Sequence, residues 1–346
     1  MSAPKVSVVI PVYNCEKYLQ ACIDSLLGQT LHDMEFLFVC DASPDNSLAI
    51  LRENERRDAR IRVIAFPENR GVSAARNAGV EAAQGEYIGF CDSDDWVEPQ
   101  MYGALYDLAK EKDAQITFCR VYKDYERADG SVRRDDVPLG FETGMRFDHA
   151  AIRDTLVPAM LSKEKDSDEL PLSGYTPRNL FAAPLAKAHA FRPDIRYAED
   201  LLYIVECMLD ADAAAALDVA YYHYRFHGGS VTKRYSPHVP DSHDKSNDAL
   251  DALFGDLPSC RARMTVRRRK MAVTAVRNYC FPGSPYGFME RVRQVRAYMR
   301  REDVRAWFAP VRPFDFPPKL AVRLFLMKHR MALIMCLLFT YVFDRV

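Results

Sequence analysis

Residues 6–13, "VSVVIPVY", form a β-branched, apolar run that predicts a strand buried on both faces. Polar punctuation follows, with Asn14 placed to cap a helix. Leu19, Cys22, Ile23, Leu26 and Leu27 then recur at helical spacing. The pattern repeats. "EFLFVCD" (35–41) predicts a second strand, and "SPDNSLAILRENERRD" predicts a helix opening at Ser-Pro. "IRVIAFP" and "EYIGFCD" predict strands on either side of a helix in "GVSAARNAGVEAAQ". A helix over 97–112 and a strand over 114–122 complete the run.

Such alternation argues for a parallel sheet with helices on both faces, and ligands of such sheets bind beyond the carboxyl ends of the strands. The unusual polar residues fall at those ends: Tyr13 and Asn14, Asp41 and Ser43, Asn69 and Arg70, Asp92 and Asp94. The densest of them, "FCDSDDW" (90–96), fits a helix cap, a solvated turn or a cage for a divalent metal. No GxGxxG follows the first strand and no GxxxxGK[ST] occurs, so a dinucleotide site and a P-loop are poorly supported. The acids favour a hard cation with oxygen ligands, and a cation invites phosphate.

Composition changes this picture little. A chain of 346 residues, 49% apolar and 27% charged, has the makeup of a soluble globular protein. Its nine cysteines include no CxxC pair and no zinc spacing, which argues against a thiolate metal site and fits reduced thiols in a cytoplasm. The N-terminus has no signal-peptide pattern. Charge is more informative. From residue 256 onward 19 Lys/Arg face 6 Asp/Glu, a balance of +13, whereas the preceding residues hold 28 against 42, a balance of −14.

"VSVVIPVYN", "LGQTL", "VCDASPDNS", "NRGVSAARNAG", "GEYIGFCDSDDW" and "AEDLLY" together resemble the family 2 glycosyltransferases in order and approximate spacing. The likeness is dense over 5–120, looser over about 180–235 and absent from the last hundred residues. It implies an α/β GT-A (Rossmann-like) fold with a mostly parallel sheet flanked by helices, followed here by a mainly helical C-terminal region. The expected division is 1–122 for the nucleotide-sugar half, 123–238 for the acceptor and base half, and 239–346 for the basic helical region. By the same resemblance Pro11, Tyr13, Asp41 and Arg70 line the nucleotide pocket, the Asp41 carboxylate accepting a uracil N–H, with Ser43 in the same loop. "DSDD" matches the DxD motif: Asp92 near the ribose or a metal-bound water, Ser93 beside it, and Asp94 the direct ligand of Mg²⁺ or Mn²⁺. Asp200 of "AED" matches the catalytic base.

The chain departs from the family pattern in places. The usual Asp-Asp-Gly-Ser after the second strand is "CDAS", lacking one acid and the glycine. The aromatic pattern before the base is blurred to "AAPLAKA", which leaves acceptor contacts unassigned. No QxxRW is present, so addition of single sugars is expected rather than processive synthesis.

The expected activity is inverting, metal-dependent transfer from a UDP-sugar to a hydroxyl of a glycan or lipid-linked acceptor, in cell-surface polysaccharide or lipopolysaccharide biosynthesis. Displacement assisted by one base inverts the anomeric centre. The alternative is a sugar-nucleotide-binding module without turnover, against which stands the presence of both the DxD-like turn and Glu199-Asp200.

Three further stretches carry expectations. "YKDYERADGSVRR" predicts a hairpin around Asp-Gly. "YHYRFHGGSVT" (222–232) is either an edge strand with a Gly-Gly turn or a closing loop whose Arg225, His227 and Ser230 meet the diphosphate, with His223 structural. The basic tail ends in a 13-residue apolar run, 331–343, shorter than the roughly 20 residues that span a bilayer. It fits a helix packed on its own domain or in a homodimer, or one lying on an anionic membrane at the inner face of the plasma membrane. No motif points to nucleic acid.

Overall fold

The computed structural model describes residues 3–127, 130–136, 138–162, 174–226, 235–255, 257–281 and 283–341. Among these, two compact units form: residues 3–160 with 174–226, and residues 161–162 with 235–341.

The first unit is built on one sheet. Its strands are β1 (Val6–Val12), β2 (Met34–Cys40), β3 (Ile61–Ala65), β4 (Tyr87–Phe90), β5 (Trp96–Val97), β6 (Ile116–Glu126), β7 (Val132–Asp136), β8 (Arg146–Asp148), β9 (Asn179–Ala182) and β10 (Ala213–Phe226). Their order is β3-β2-β1-β4-β9-β6-β10-β5, with β7 on β6 and β8 on β10. Helices α1 (Glu16–Leu27), α2 (Ser47–Arg57) and α4 (Met101–Lys112) cover one face. There Leu19, Cys22, Ile23, Leu26, Leu51 and Tyr102 pack on Val8, Ile10, Val12 and Phe38. α3 (Val72–Ala82) and α5 (Glu199–Asp210) cover the other face. Gly79 lets α3 approach β1 so closely that a Cβ there would lie 2.3 Å from Val9 Cγ1. Tyr203 of α5 stacks on Phe191 at 4.0 Å and meets Phe90 edge-on at 5.9 Å.

The four strands predicted first are all parallel neighbours of β1 or β2, as their buried, non-alternating composition requires. Beyond β4 the sheet is mixed rather than continuously parallel. β9 inserts antiparallel between β4 and β6, and β5, β7 and β8 also pair antiparallel. The two arms of the predicted hairpin pair antiparallel, with Glu126 opposite Val132, while Asp129 of its Asp-Gly turn lies outside the described residues. The helix expected over 97–112 starts only at Met101, because Trp96–Val97 is used as a strand against Tyr222–His223. Two register shifts in β10, between Leu217 and Tyr222, twist its end and re-aim the residues that follow. Because β2 and β3 lie to one side of β1 and β4 to the other, the chain leaving β1 and the chain leaving β4 diverge and open a crevice between them.

The second unit is helical: α6 (Val239–Leu253), α7 (Pro258–Cys280), α8 (Phe288–Arg300), α9 (Glu302–Phe308), α10 (Pro318–Lys328) and α11 (Ala332–Tyr341). Val276, Val295, Met299, Phe308, Leu324, Met335 and Phe339 belong to its core. Several of the arginines counted in the tail serve this unit internally. Arg267 is buried and donates to Asn247 Oδ1 at 3.1 Å, Arg268 pairs with Asp251, and Arg301 holds both Asp244 (2.7 Å) and Asp303 (2.6 Å). Among the described residues no helix is long and apolar enough to cross a membrane.

Candidate active site

The loops after β1 and β2 are tied together by side chains. Asn14 does not cap α1; it takes a left-handed conformation (φ 52°), and its N–H donates to Ser43 Oγ at 2.8 Å. The cap comes from the loop after β2, where Asp45 Oδ2 accepts the Glu16 N–H at 2.8 Å and Glu16 Oε2 accepts the Asn46 N–H at 2.9 Å. Ser43 Oγ donates to Asp45 Oδ1 at 2.6 Å, and Asp45 also accepts from the Ser47 N–H. Burial alone would raise the Asp45 pKa, yet these bonds from Ser43, Ser47 and Glu16 lower it to about 2. Because Ser43 and Asp45 are used this way, α2 starts at Ser47 rather than at the Ser-Pro signal. Ala42, where the family pattern has glycine, is held at φ 50°.

Asp41 is buried at the end of β2, and both of its carboxylate oxygens are already engaged. Oδ1 accepts the Arg70 N–H at 2.7 Å and Oδ2 the Gly71 N–H at 2.8 Å. It thereby fixes the turn into α3, where Gly71 supplies a φ of 88° that suits only glycine well. The Arg70 side chain is exposed and lies over the Phe66 ring at 4.8 Å. Pro11 and Tyr13 end β1 on the same rim, Tyr13 with 52% of its surface open.

The acid turn after β4 is held from below by β10. Tyr222 accepts the Asp92 N–H at 3.1 Å and donates to Asp95 Oδ2 at 2.5 Å. Asp95 is buried and also accepts the Arg225 N–H at 2.7 Å; burial, then Asp94 and Asp92, push its pKa well above the usual range. Ser93 is buried beside Cys15. Ser93 and Asp95 thus build the turn, and the carboxylates left at its surface are Asp92 and Asp94, both half-buried.

The centre of the site is a residue that motif reading passed over. Arg76 of α3 is 3% exposed and bonds three acids at once. Its Nη2 donates to Asp92 Oδ1 at 3.0 Å, while its Nη1 donates to Glu199 Oε1 at 3.1 Å and to Asp200 Oδ1. The guanidinium also lies over the Phe191 ring at 5.2 Å. Burial disfavours its charge, but Asp200, Asp92 and Glu199 outweigh that and raise its pKa. Burial pushes Glu199 up to about 8, with Asp200 adding to the rise and Arg76 opposing it. Burial likewise pushes Asp92 up to about 6 against Arg76. Ala198, which leads into this pair, is held at φ 64°, a strained conformation for a residue with a Cβ. The signal for Arg76 was present: "AARNAG" puts a cation among Ala75, Gly79 and Val80 on the sheet-facing side of a helix, where a charge needs partners.

Arg225 does not sit on a loop. It is the next-to-last residue of β10, its guanidinium between Tyr18 (4.7 Å) and Trp96 (4.6 Å). It donates to the Asp94 carbonyl at 2.8 Å and pairs with Glu126, so it braces the acid turn. His227 and Ser230 lie outside the described residues. His223 is structural: buried, stacked on Trp96 at 4.5 Å and bonded to Asp124 (2.8 Å) and Glu98 (3.0 Å).

Among the described residues no three His, Cys, Asp or Glu side chains gather to hold a metal by themselves. Two half-buried carboxylates on one turn nevertheless fit a Mg²⁺ or Mn²⁺ ion whose shell is completed by substrate phosphates and water.

The description "Glycosyl transferase family 2" fits residues 7–166. The uncharacterized glycosyltransferase EpsJ of Bacillus subtilis is 34% identical over 311 residues, 87% of this chain and 86% of that protein. The poly(ribitol-phosphate) beta-glucosyltransferase of Bacillus spizizenii is 29% identical over 316 residues, 88% of this chain but 44% of its own length. The structure of S. aureus TarS 1–349 in complex with UDP-GlcNAc superposes with a TM-score of 0.61 at 18% identity, covering 97% of this chain and 90% of that one, a likeness of fold. The chain belongs to glycosyltransferase family 2, and it is a transferase of that class.

Proposed function

We propose that the enzyme is an inverting, metal-dependent glycosyltransferase that moves a sugar from a UDP-sugar to a hydroxyl of a glycan or lipid-linked acceptor in cell-surface polysaccharide synthesis. The observation that carries this reading is the Arg76 cluster, which holds an acid of the β4 turn and the acids of α5 on one guanidinium. Asp200 then takes the proton of the attacking acceptor hydroxyl, the new glycosidic bond forms at the anomeric carbon, and the bond to the diphosphate oxygen breaks on the opposite side. A divalent ion held by Asp94 with the donor's phosphates would supply Lewis-acid stabilisation of the leaving group. Tyr13, Asp41, Ser43 and Arg70 rim the crevice on the nucleoside side, and Asp92 stands between nucleoside and acceptor. TarS, crystallised with UDP-GlcNAc, supports uridine as the nucleoside.

Thermal shift with UDP-, GDP- and dTDP-sugars, with and without Mn²⁺, tests this. The expected result is metal-dependent stabilisation by a UDP-sugar that Asp94→Ala abolishes. A wild-type enzyme indifferent to every nucleotide would overturn the reading.

The second unit favours peripheral contact with anionic lipid. Leu333, Ile334 and Leu337 are exposed along one side of α11, just after the exposed Arg330. Co-sedimentation with phosphatidylglycerol vesicles is expected to fall at least several-fold when these three leucine and isoleucine side chains become serine. Equal sedimentation of both proteins would refute the contact.

A further inference from the structure

Four aromatic rings run outward from the acid site in unbroken contact. Tyr175 meets Tyr224 at 5.2 Å, Tyr224 meets Phe226 edge-on at 4.7 Å, and Phe226 stacks on Tyr125 at 4.5 Å with planes 13° apart. The Arg133 guanidinium closes the series, 4.3 Å over Tyr125. The inner end approaches the transfer centre along two elements. Gly174, next to Tyr175, lies so close to Leu201 that a Cβ there would come 2.8 Å from the Leu201 Cβ, and Leu201 follows Asp200 directly. Tyr224 is two residues along β10 from Tyr222, whose hydroxyl holds Asp92 and Asp95, and it feels the charge of Asp95, Asp92 and Asp94.

Tyr175 and Tyr224 pack against the edge of the core, but the rings are not sealed within it. Tyr203 and Tyr222 nearby are 1% and 0% exposed, whereas Tyr175, Tyr224, Phe226 and Tyr125 all remain partly open. In the sheet order the ends of β1, β2 and β3 fall on one side of β4, while β6 and β10 fall on the other. A donor reaching Asp92 from the β1–β3 side leaves the β6–β10 side for the second substrate. From Tyr222 to Phe226 the strand covers about 13 Å, enough for more than one sugar ring.

Resting on the reading of the acid cluster as the transfer centre, we propose that Tyr175, Tyr224, Phe226 and Tyr125 form the acceptor subsite and bind a carbohydrate chain by ring stacking. A pyranose presents C–H groups on its faces, apolar and weakly positive, which suit the negative faces of aromatic rings. Such a surface holds a sugar without demanding one pattern of hydroxyls. The terminal sugar then sits by Tyr175 and Tyr224 with its hydroxyl toward Asp200, and the rest of the chain lies along Phe226 and Tyr125.

The test uses a glycan array of neutral and acidic oligosaccharides, probed with the full-length protein in UDP and Mn²⁺. Wild type is expected to retain at least one oligosaccharide of three or more sugars. Retention should fall at least tenfold in Tyr125→Ala and in Phe226→Ala, while the thermal shift given by UDP with Mn²⁺ stays as in wild type. Equal retention by wild type and both variants, or no glycan retained by wild type, overturns the subsite. The UDP shift separates the two readings, because its absence from wild type counts against the donor site whatever the array shows. Arg133→Ala, which alters an exposed side chain, should weaken retention without lowering the melting temperature.

Discussion

Arg76→Met abolishes sugar transfer and lowers folding stability by about 3–5 kcal/mol near neutral pH, the range seen when one partner of a buried ion pair is removed. The substitution keeps most of the volume and the contact with Phe191, so the loss reports on charge. Three carboxylates converge on this guanidinium, their side chains 27%, 12% and 21% exposed at Asp92, Glu199 and Asp200. Without it they repel one another across the end of the sheet, and α5 is no longer tied to the β4 turn. The pH dependence identifies the cause. Burial pushes the Glu199 pKa up to about 8 and that of Asp92 up to about 6, both above their ordinary values. Across the window between those ordinary values and the folded ones, the native state holds more protons than the unfolded state. Their contribution is therefore fully present at acid pH and is lost as pH rises through that window. Removing Arg76 raises both pKa values further, so the variant's deficit should widen between pH 5 and 9. Urea unfolding at three pH values measures it. A deficit that does not change with pH would mean Arg76 contributes packing alone.

The first four strands and three helices were legible because each carries its own signal: continuous β-branched runs for strands buried on both faces, and helical spacing of apolar residues between them. The boundaries that shifted did so where a side chain is engaged at long range. Asn14 looked like a cap from its neighbours, but the N–H of Glu16 is satisfied by Asp45, 29 residues away. Val97 looked helical because its strand partner, Tyr222, lies more than a hundred residues later. β9 escaped notice because four residues, "NLFA", carry too little periodicity to announce a strand.

The site divided along the same line. Asp92 and Asp200 were legible as motif residues, and the fold joins them. What joins them was not, since Arg76 belongs to α3 and its partners to β4 and α5. Arg225 shows the converse error. Its neighbours Gly228 and Gly229 suggest a loop, but the strand pairs as far as Phe226 opposite Tyr125 and commits Arg225 to bracing the acid turn. The acceptor strip could not be read at all. Its four rings come from three separate stretches, and only the pairing of β10 with β6 brings them into line.

Asp200→Asn lowers kcat by about 10²–10⁴, the scale of a lost general base, and leaves UDP binding with Mn²⁺ intact. The amide keeps the shape of the carboxylate, and its oxygen can still accept from Arg76, so the cluster and the fold survive. Glu199, the adjacent carboxylic acid on the same guanidinium, is the rival for the role, and its raised pKa of about 8 would not by itself forbid this. Position separates the two. Asp200 is the more open side chain, 21% against 12%, and sits next to Leu201, which Gly174 approaches closely just before Tyr175 of the proposed acceptor strip. Glu199 lies deeper, and burial favours its neutral form, which lessens the negative charge that Arg76 must balance. Glu199→Gln should therefore keep kcat within about tenfold of wild type at pH 7, because the amide mimics the neutral form. Single-turnover rates of both variants at saturating donor decide the assignment. If the deeper loss falls on Glu199→Gln, the proton leaves the acceptor through Glu199, and Asp200 is the group that holds Arg76 in place.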